Sequence, residues 1–259
     1  KSFVDTFKKN SKLKKKFKIL NLVSKSFDSD LKQTKFISKY KYNLEKDYGN
    51  LPKTTKYLIY AADPNDYKLY KSNKNKYINK IKKFIKLYKK KYYDSNLIYL
   101  SSGIVYGKEN KKVSPKENTK FKSLNTVNLN QRNYCYVKRF GEKEICKLKK
   151  KKFKISIARL YSFIGPKIQF NRHFLIGNLI RNISHKKKQK INLSGNFYRS
   201  YLHADDMVYF ILKIVKIANK NCPIYNLGSD EIINEKAILD IFQNFTKRQL
   251  IEKSKKLDY

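Results

Sequence analysis

Cysteine, glycine and long apolar runs are scarce in this chain, and each shortage excludes a class of protein. Its 259 residues include three cysteines, which form no C-x-x-C pair, and eight glycines, none of them in a G-x-G-x-x-G turn. The odd cysteine number excludes an even disulfide framework and predicts free thiols in a reducing cytoplasm. No apolar run reaches the length of a membrane span and no signal-peptide pattern opens the chain, so we expect a cytoplasmic protein without a membrane span.

Acidic residues are also few, and the resulting charge raises the question of a nucleic-acid partner. The chain has 61 lysines and arginines against 20 acidic residues, a formal net charge of +41. Lysine and arginine neutralise phosphates in nucleic-acid binders. Here, however, the lysines are spread along the whole chain, and arginine, which suits bidentate phosphate and base contacts, is rare. We therefore expect non-specific attraction to polyanions but no specific nucleic-acid partner.

Four apolar runs that alternate with helical segments predict a parallel sheet. With 41% hydrophobic residues, the chain is able to bury a full core. Residues 74–91 have helical apolar spacing, which fits a membrane surface or the face of a sheet, and we expect the sheet. The pattern predicts an α/β protein with a doubly wound parallel sheet and helices on both faces. The four runs are FKILNLVSKS (17–26), KYLIYAADP (56–64), SNLIYLSSGIVYG (95–107) and FKISIARLYSFIGP (153–166).

In such sheets, ligands bind outside the carboxyl ends of the strands. Small and hydroxyl side chains fall there, namely Ala61 and Ala62, Ser101 and Ser102, and Ser162. The pattern becomes less regular after Pro166, which suits a smaller substrate-facing unit. We predict one domain over residues 1–166 and a substrate-binding part over 167–259, with 200–228 returning to the first.

Tyr134 and Lys138 are four residues apart, so on a helix they share one face. An ammonium about 4 Å from a phenol oxygen favours the phenolate by about 4 kcal/mol at an effective dielectric constant of about 20. Such a phenol can act as a general base. The alternative is an exposed tyrosine stacked on a lysine stem, because both residue types are common in this chain.

Six segments together resemble the extended short-chain dehydrogenase/reductase family, in its NAD-dependent epimerase/dehydratase group acting on nucleotide sugars. They follow the family's order over nearly the whole chain. The resemblance implies a Rossmann-like fold with a smaller C-terminal substrate-binding subdomain. The segments are YLIYAADP (57–64), SSGIVYG (101–107), YCYVKRFGE (134–142), ARLYSFIGP (158–166), RSYLHADDMV (199–208) and YNLGSDEIIN (225–234).

The resemblance also implies roles for individual residues. Ser102 would hydrogen-bond the reacting sugar hydroxyl, Tyr134 would remove its proton, and Lys138 would hold the nicotinamide ribose. Arg199 would clamp the substrate pyrophosphate, since guanidinium suits phosphate oxygens, with a surface ion pair as the alternative. The implied cofactor contacts are Ala61, Ala62, Asn73, Ser101, Tyr134, Lys138 and Ser162. The implied substrate contacts are Ser102, Asn171, Arg172 and Arg199.

Within the family, the residues of the SSGIVYG segment (101–107) favour an epimerase. The dehydratase branch usually carries a Thr-Asp-Glu set there, whereas this chain has Ser102, Gly103 and Ile104, and neither glycine nor isoleucine can transfer a proton. A dehydratase, reductase, decarboxylase or inactive relative remains an alternative. His203 with Asp205 and Asp206 is a poor metal-ligand set, so we expect a structural corner and no metal.

The cofactor expected from the resemblance is NAD, although two features depart from the family. The absent glycine-rich turn suggests a fragment that begins just after it. After FKILNLV, Ser24, Lys25 and Ser26 offer no carboxylate to the ribose hydroxyls of NAD, and Lys25 leaves NADP as an alternative. Homodimers paired through helices are common in the family, and the sequence leaves the oligomeric state open.

Overall fold

The computed structural model describes residues 2–27, 31–62, 68–107, 115–151, 153–166, 175–184, 191–193, 198–246 and 252–254. Its helices are α1 (Ser2–Lys9), α2 (Ser11–Phe17), α3 (Leu69–Lys91), α4 (Leu129–Cys146), α5 (Leu175–Ser184), α6 (Ala204–Lys216) and α7 (Glu235–Thr246). Its strands are β1 (Leu20–Ser24), β2 (Ile37–Asn43), β3 (Tyr48–Gly49), β4 (Tyr57–Tyr60), β5 (Asn96–Ser102), β6 (Ile155–Leu160), β7 (Ser162–Ile164), β8 (Ile191–Leu193), β9 (Tyr198–His203), β10 (Ile224–Leu227), β11 (Ile232–Asn234) and β12 (Glu252–Ser254).

A four-stranded parallel sheet, in the order β10-β6-β5-β4, forms the centre of the protein. Its strands are apolar on both faces, as expected where helices cover both sides of a parallel sheet. In β5, Leu97 and Tyr99 face one apolar cluster, while Ile98 faces another on the opposite side. This alternation divides the core into two layers.

Different helices cover the two faces of this sheet. Residues of α3 and α4 form the first cluster, and residues of α1 and α6 form the second. The apolar side of α3 is buried against the sheet, through Tyr77, Ile81 and Tyr88 among others. The predicted α/β fold, with a parallel sheet between helical layers, is therefore confirmed.

A second sheet, in the order β1-β2-β3, shares the cluster formed by α1 and α6. β1 runs parallel to β2, with Leu20 opposite Ile37, and β3 is antiparallel to β2. The ring of Phe17 meets that of Tyr57 at 5.6 Å between centroids. The strand predicted from Phe17 onward begins at Leu20 instead, because Phe17 still belongs to α2.

A further sheet has the order β11-β9-β7, in which β7 precedes Pro166 and the other two strands follow it, and β8 pairs with β12. A third apolar cluster lies here, with Leu179 of α5 and Leu239 of α7 at its centre. α6 and β10, by contrast, pack with the central sheet. Among the described residues, no helix has both the length and the apolar character that crossing a membrane requires.

Candidate functional site

The carboxyl ends of β4, β5 and β6 lie along one edge of the central sheet, because the strands are parallel neighbours. Ala61 and Ala62 follow β4 and are exposed. Ser102 is the last residue of β5, and Ser162 follows β6 by two positions and begins β7. The structure therefore places these four predicted residues at the same edge of the sheet.

Ser102 opens a tight turn, which we call the serine turn (residues 101–106). Its hydroxyl oxygen accepts a hydrogen bond from the backbone N–H of Ile104 at 3.4 Å, at the start of a 3-10 helix over Gly103–Tyr106. This bond leaves the hydroxyl proton available for donation. A Cβ added at Gly103 would lie 2.9 Å from ring carbons of Tyr161, so the turn passes the ring at a distance that only glycine permits.

Helix α4 is bonded at three points to the serine turn and to Leu100, the residue before it. The Lys138 ammonium donates to the Leu100 carbonyl at 2.7 Å, and the Arg139 guanidinium donates to the Val105 carbonyl at 2.8 Å. The Cys135 thiol, next to Tyr134 in sequence, lies 3.2 Å from the carbonyl oxygen of Ile104. These contacts flank Ser102 on both sides and bring the face of α4 that carries Cys135, Lys138 and Arg139 to the turn.

Tyr134 and Lys138 lie close together on α4 and are not solvent-exposed. The Lys138 Nζ is 5.7 Å from the centroid of the Tyr134 ring and 5.5 Å from that of Tyr99. Only 4% of Lys138 is accessible, and Tyr134 is partly buried, with its ring 5.0 Å from that of Tyr70. Tyr134 is therefore not fully exposed, as the alternative required, although the lysine does lie against its ring, and the catalytic role of the pair stays a prediction.

The other predicted residues have varied surroundings. Asn73 interrupts the helical geometry of α3, and its amide donates to the Leu69 carbonyl at 3.2 Å. Ser101 is buried, and its hydroxyl donates to Glu142. Arg199 is an exposed residue of β9. Asn171 and Arg172 lie outside the described residues, and the predicted ligand contacts of all these side chains stay predictions.

The His203 segment behaves as a structural corner. The His203 ring nitrogen Nδ1 accepts from the backbone N–H of Asp205 at 3.3 Å and so caps α6. Within the part of the chain that the structure describes, no cluster of three or more His, Cys, Asp or Glu side chains is placed to hold a metal ion.

The sequence did not reveal a buried ion pair between Glu142 and Arg159, which lies beneath the serine turn. Glu142 follows Lys138 by one helical turn, and Arg159 lies near the end of β6. The Gly-Glu pair after the tyrosine–lysine motif was the only available signal. The glycine of this pair has a steric reason, since a Cβ at Gly141 would overlap the phenol of Tyr99.

Comparison with known proteins agrees with this geometry. The model of the NAD dependent epimerase/dehydratase family matches residues 60–228, which include the ends of β4, β5 and β6 and the whole of α4. Among curated proteins, no sequence match was found.

Solved structures share the fold at low sequence identity. A dTDP-glucose 4,6-dehydratase from Bacillus anthracis in complex with NAD is 14% identical with a TM-score of 0.74, and the match covers 98% of this chain and 80% of that one. A UDP-glucose 4-epimerase from Thermotoga maritima with UDP-glucose is 14% identical, with a TM-score of 0.73 and coverages of 99% and 82%. RMD from Pseudomonas aeruginosa, complexed with NADPH, is 14% identical, with a TM-score of 0.71 and coverages of 91% and 86%. The similarity to a dehydratase and to an epimerase is nearly equal, so the fold alone does not separate the two activities.

Proposed function

Because the chain belongs to the NAD dependent epimerase/dehydratase family, we propose that it is an NAD-dependent epimerase of a nucleotide sugar. One observation carries the proposal, namely that α4 is bonded to the chain on both sides of Ser102 through Lys138 and through Cys135, the neighbour of Tyr134. This arrangement supports a site in which a hydroxyl, a phenol and a buried ammonium meet at the carboxyl edge of a parallel sheet, where ligands of such folds bind.

The residues at this edge fit the nicotinamide-ribose end of a dinucleotide. Ala61 and Ala62 are small and exposed after β4. In the proposal the Lys138 ammonium, which has three protons and gives one to the Leu100 carbonyl, also donates to ribose hydroxyls. This sequence contains no G-x-G-x-x-G turn, so none of its residues is assigned to the pyrophosphate of the cofactor. Lys25, exposed just beyond the carboxyl end of β1, keeps NADP as an alternative.

In the proposed mechanism, Ser102 donates its hydroxyl proton in a hydrogen bond to the oxygen of the reacting sugar alcohol. Tyr134 removes the proton of that alcohol as general base and later returns it. The ammonium of Lys138 stabilises the negative charge that develops on the phenol oxygen. The nicotinamide, when bound, supplies the reversible two-electron oxidation that epimerisation of a sugar carbon requires.

The serine turn favours epimerisation over elimination of water. Elimination needs an additional acid and base, and the two residues after Ser102 are Gly103 and Ile104, which carry no ionisable group. Position 103 also has little room for a carboxylate, because even a Cβ would press on the ring of Tyr161. These two observations support the epimerase against the dehydratase.

We further propose that the nucleotide sugar binds with its pyrophosphate toward Arg199, an exposed residue of β9. Residues 1–166 would then hold the cofactor and 167–259 the substrate, with 200–228 returning to the first unit. The packing of α6 and β10 with the central sheet supports that return. A cytoplasmic location and a homodimer complete the proposal.

The proposal is tested by incubating the full-length protein and NAD with UDP-glucose and, separately, with dTDP-glucose. We expect a product of unchanged mass with one inverted sugar carbon, measured by mass spectrometry and proton NMR. The Ser102→Ala variant serves as the site control and is expected to lose most of the activity. A product lighter by one water molecule would contradict the epimerase and support a dehydratase.

A further inference from the structure

Beneath the serine turn, Glu142 and Arg159 form a buried ion pair that the proposed mechanism does not use. Glu142 is 4% accessible and Arg159 3% accessible. The guanidinium donates from Nη2 to Oε2 at 2.7 Å and from Nε to Oε1 at 3.0 Å, so the contact is bidentate. A bidentate arginine–carboxylate pair fixes the relative orientation of its two groups as well as their separation. It therefore joins α4 rigidly to β6.

The carboxylate of this pair also holds the beginning of the serine turn. The Ser101 hydroxyl donates to Glu142 Oε1 at 2.5 Å, and Ser101 is only 2% accessible. Ser101 directly precedes Ser102 on β5. The side chain next to the proposed substrate-binding hydroxyl is thus bonded to the helix that carries Tyr134 and Lys138.

The guanidinium holds the end of the same turn. Arg159 Nη1 donates to the Tyr106 hydroxyl at 2.6 Å, and the guanidinium lies 4.7 Å from the centroid of the Tyr106 ring. The Tyr106 hydroxyl in turn donates to the side-chain oxygen of Asn226, on β10, at 2.8 Å. Both ends of the turn, Ser101 and Tyr106, are therefore bonded to one ion pair.

From this arrangement we infer that the Glu142–Arg159 ion pair is a positioning unit, which sets the Ser102 hydroxyl against the Tyr134 face of α4. The inference rests on the proposed function. Glu142, Arg159, Ser101 and Tyr106 do not touch the reacting atoms and act through Ser102. Because a displacement of about 1 Å can slow catalysis by about 100-fold, a unit that fixes both ends of a six-residue turn affects the rate directly.

If the bond from Ser101 to Glu142 only stabilised the fold, its loss would have a different signature. Losing that bond would then loosen the whole fold, and the serine turn would open together with every other buried segment. A positioning unit predicts a local change, confined to the turn and to the helix face against it. The two buried cysteines distinguish these cases. Cys135 contacts the turn through the Ile104 carbonyl. Cys222, which follows α6, lies instead beside the other end of α4, with its sulfur 3.6 Å from that of Cys146.

The test compares Ser101→Ala with Ser156→Ala in the full-length protein. Both serines are buried in neighbouring strands and each donates one hydrogen bond, but that of Ser156 goes to the Leu97 carbonyl at 3.3 Å, away from the turn. Thiol labelling is followed residue by residue by mass spectrometry, together with kcat and KM. Burial raises the pKa of the Cys135 thiol to about 11, so its labelling at neutral pH is slow until the site opens.

For Ser101→Ala we expect labelling of Cys135 to be about fivefold faster, with Cys222 unchanged. We also expect kcat to be about tenfold lower, with KM changed by less than about twofold. Ser156→Ala is expected to alter none of these by more than about twofold. Equal labelling of Cys135 in both variants, or faster labelling of Cys222 alongside Cys135, would overturn the inference.

The labelling measurement needs no turnover. If the unmodified protein converts neither UDP-glucose nor dTDP-glucose, the proposed function fails, while the labelling of Cys135 still decides whether Ser101 holds the turn.

Discussion

Replacing Tyr134 with phenylalanine is expected to lower turnover by about 10² to 10⁴-fold, because the variant has no phenol to take up the sugar proton. Phenylalanine keeps the ring that packs on Tyr70 and faces the Lys138 ammonium. The fold and the affinity for cofactor should therefore change little. The measurements are kcat with the accepted nucleotide sugar and the dissociation constant of NAD by titration calorimetry.

Tyr136→Phe is the matched control for this variant. Tyr136 lies two residues further along α4, is 41% accessible and stacks with the Lys74 ammonium away from the serine turn. It should keep turnover within about twofold of the unmodified protein, as expected of a surface substitution. If Tyr134→Phe keeps full turnover, or loses no more than Tyr136→Phe, Tyr134 is not the general base.

Glu142→Gln is expected to lower the free energy of unfolding by about 3–5 kcal/mol, since it leaves the guanidinium of Arg159 buried without its counter-charge. Glutamine is nearly isosteric with glutamate, so the loss reports the charge and not a cavity. Urea denaturation measures the change, and equal m-values would indicate that Glu142→Gln and the unmodified protein expose similar surface on unfolding.

Glu144→Gln provides the same substitution on the same helix. Glu144 pairs with Lys147 at 2.5 Å near the surface, where the lysine side chain is 58% accessible. Exposed pairs contribute no more than about 1 kcal/mol, so this variant should be nearly as stable as the unmodified protein. If Glu142→Gln and Glu144→Gln lower the free energy of unfolding by similar amounts, the buried Glu142–Arg159 pair stabilises the fold no more than the exposed Glu144–Lys147 pair does.

The parts of the fold that the sequence predicted are those with strong local signals. β5 and β6 are largely apolar strands that are buried on both faces, and the apolar spacing in α3 predicted its packing on the sheet. β2 was missed because its side chains alternate lysine with tyrosine and are mostly half-buried, which gives a weak apolar pattern. The predicted boundary between α2 and β1 was also wrong, because an apolar residue such as Phe17 fits the pattern of either element.

In the candidate site, too, the contacts between residues close in sequence could be predicted and those between distant residues could not. Tyr134 and Lys138 are four residues apart on one helix, so their proximity follows from helical geometry. The bonds beneath the turn join residues that are far apart in sequence: Ser101 and Glu142 are separated by 41 positions, and Tyr106 and Asn226 by 120. Only the packing of α4, β6 and β10 brings these groups together, and no local pattern encodes that packing.

Turnover in D₂O tests most directly the central claim, that the Ser102–Tyr134–Lys138 site oxidises and then reduces a single sugar carbon. In this chemistry Tyr134 exchanges only the proton of a hydroxyl, and the hydrogen on carbon does not pass through solvent. We therefore predict that the epimerised nucleotide sugar, analysed by proton NMR and mass spectrometry, carries no deuterium on carbon. Deuterium at the inverted carbon or at its neighbour would contradict the account, because it would show that a base had removed a proton from carbon.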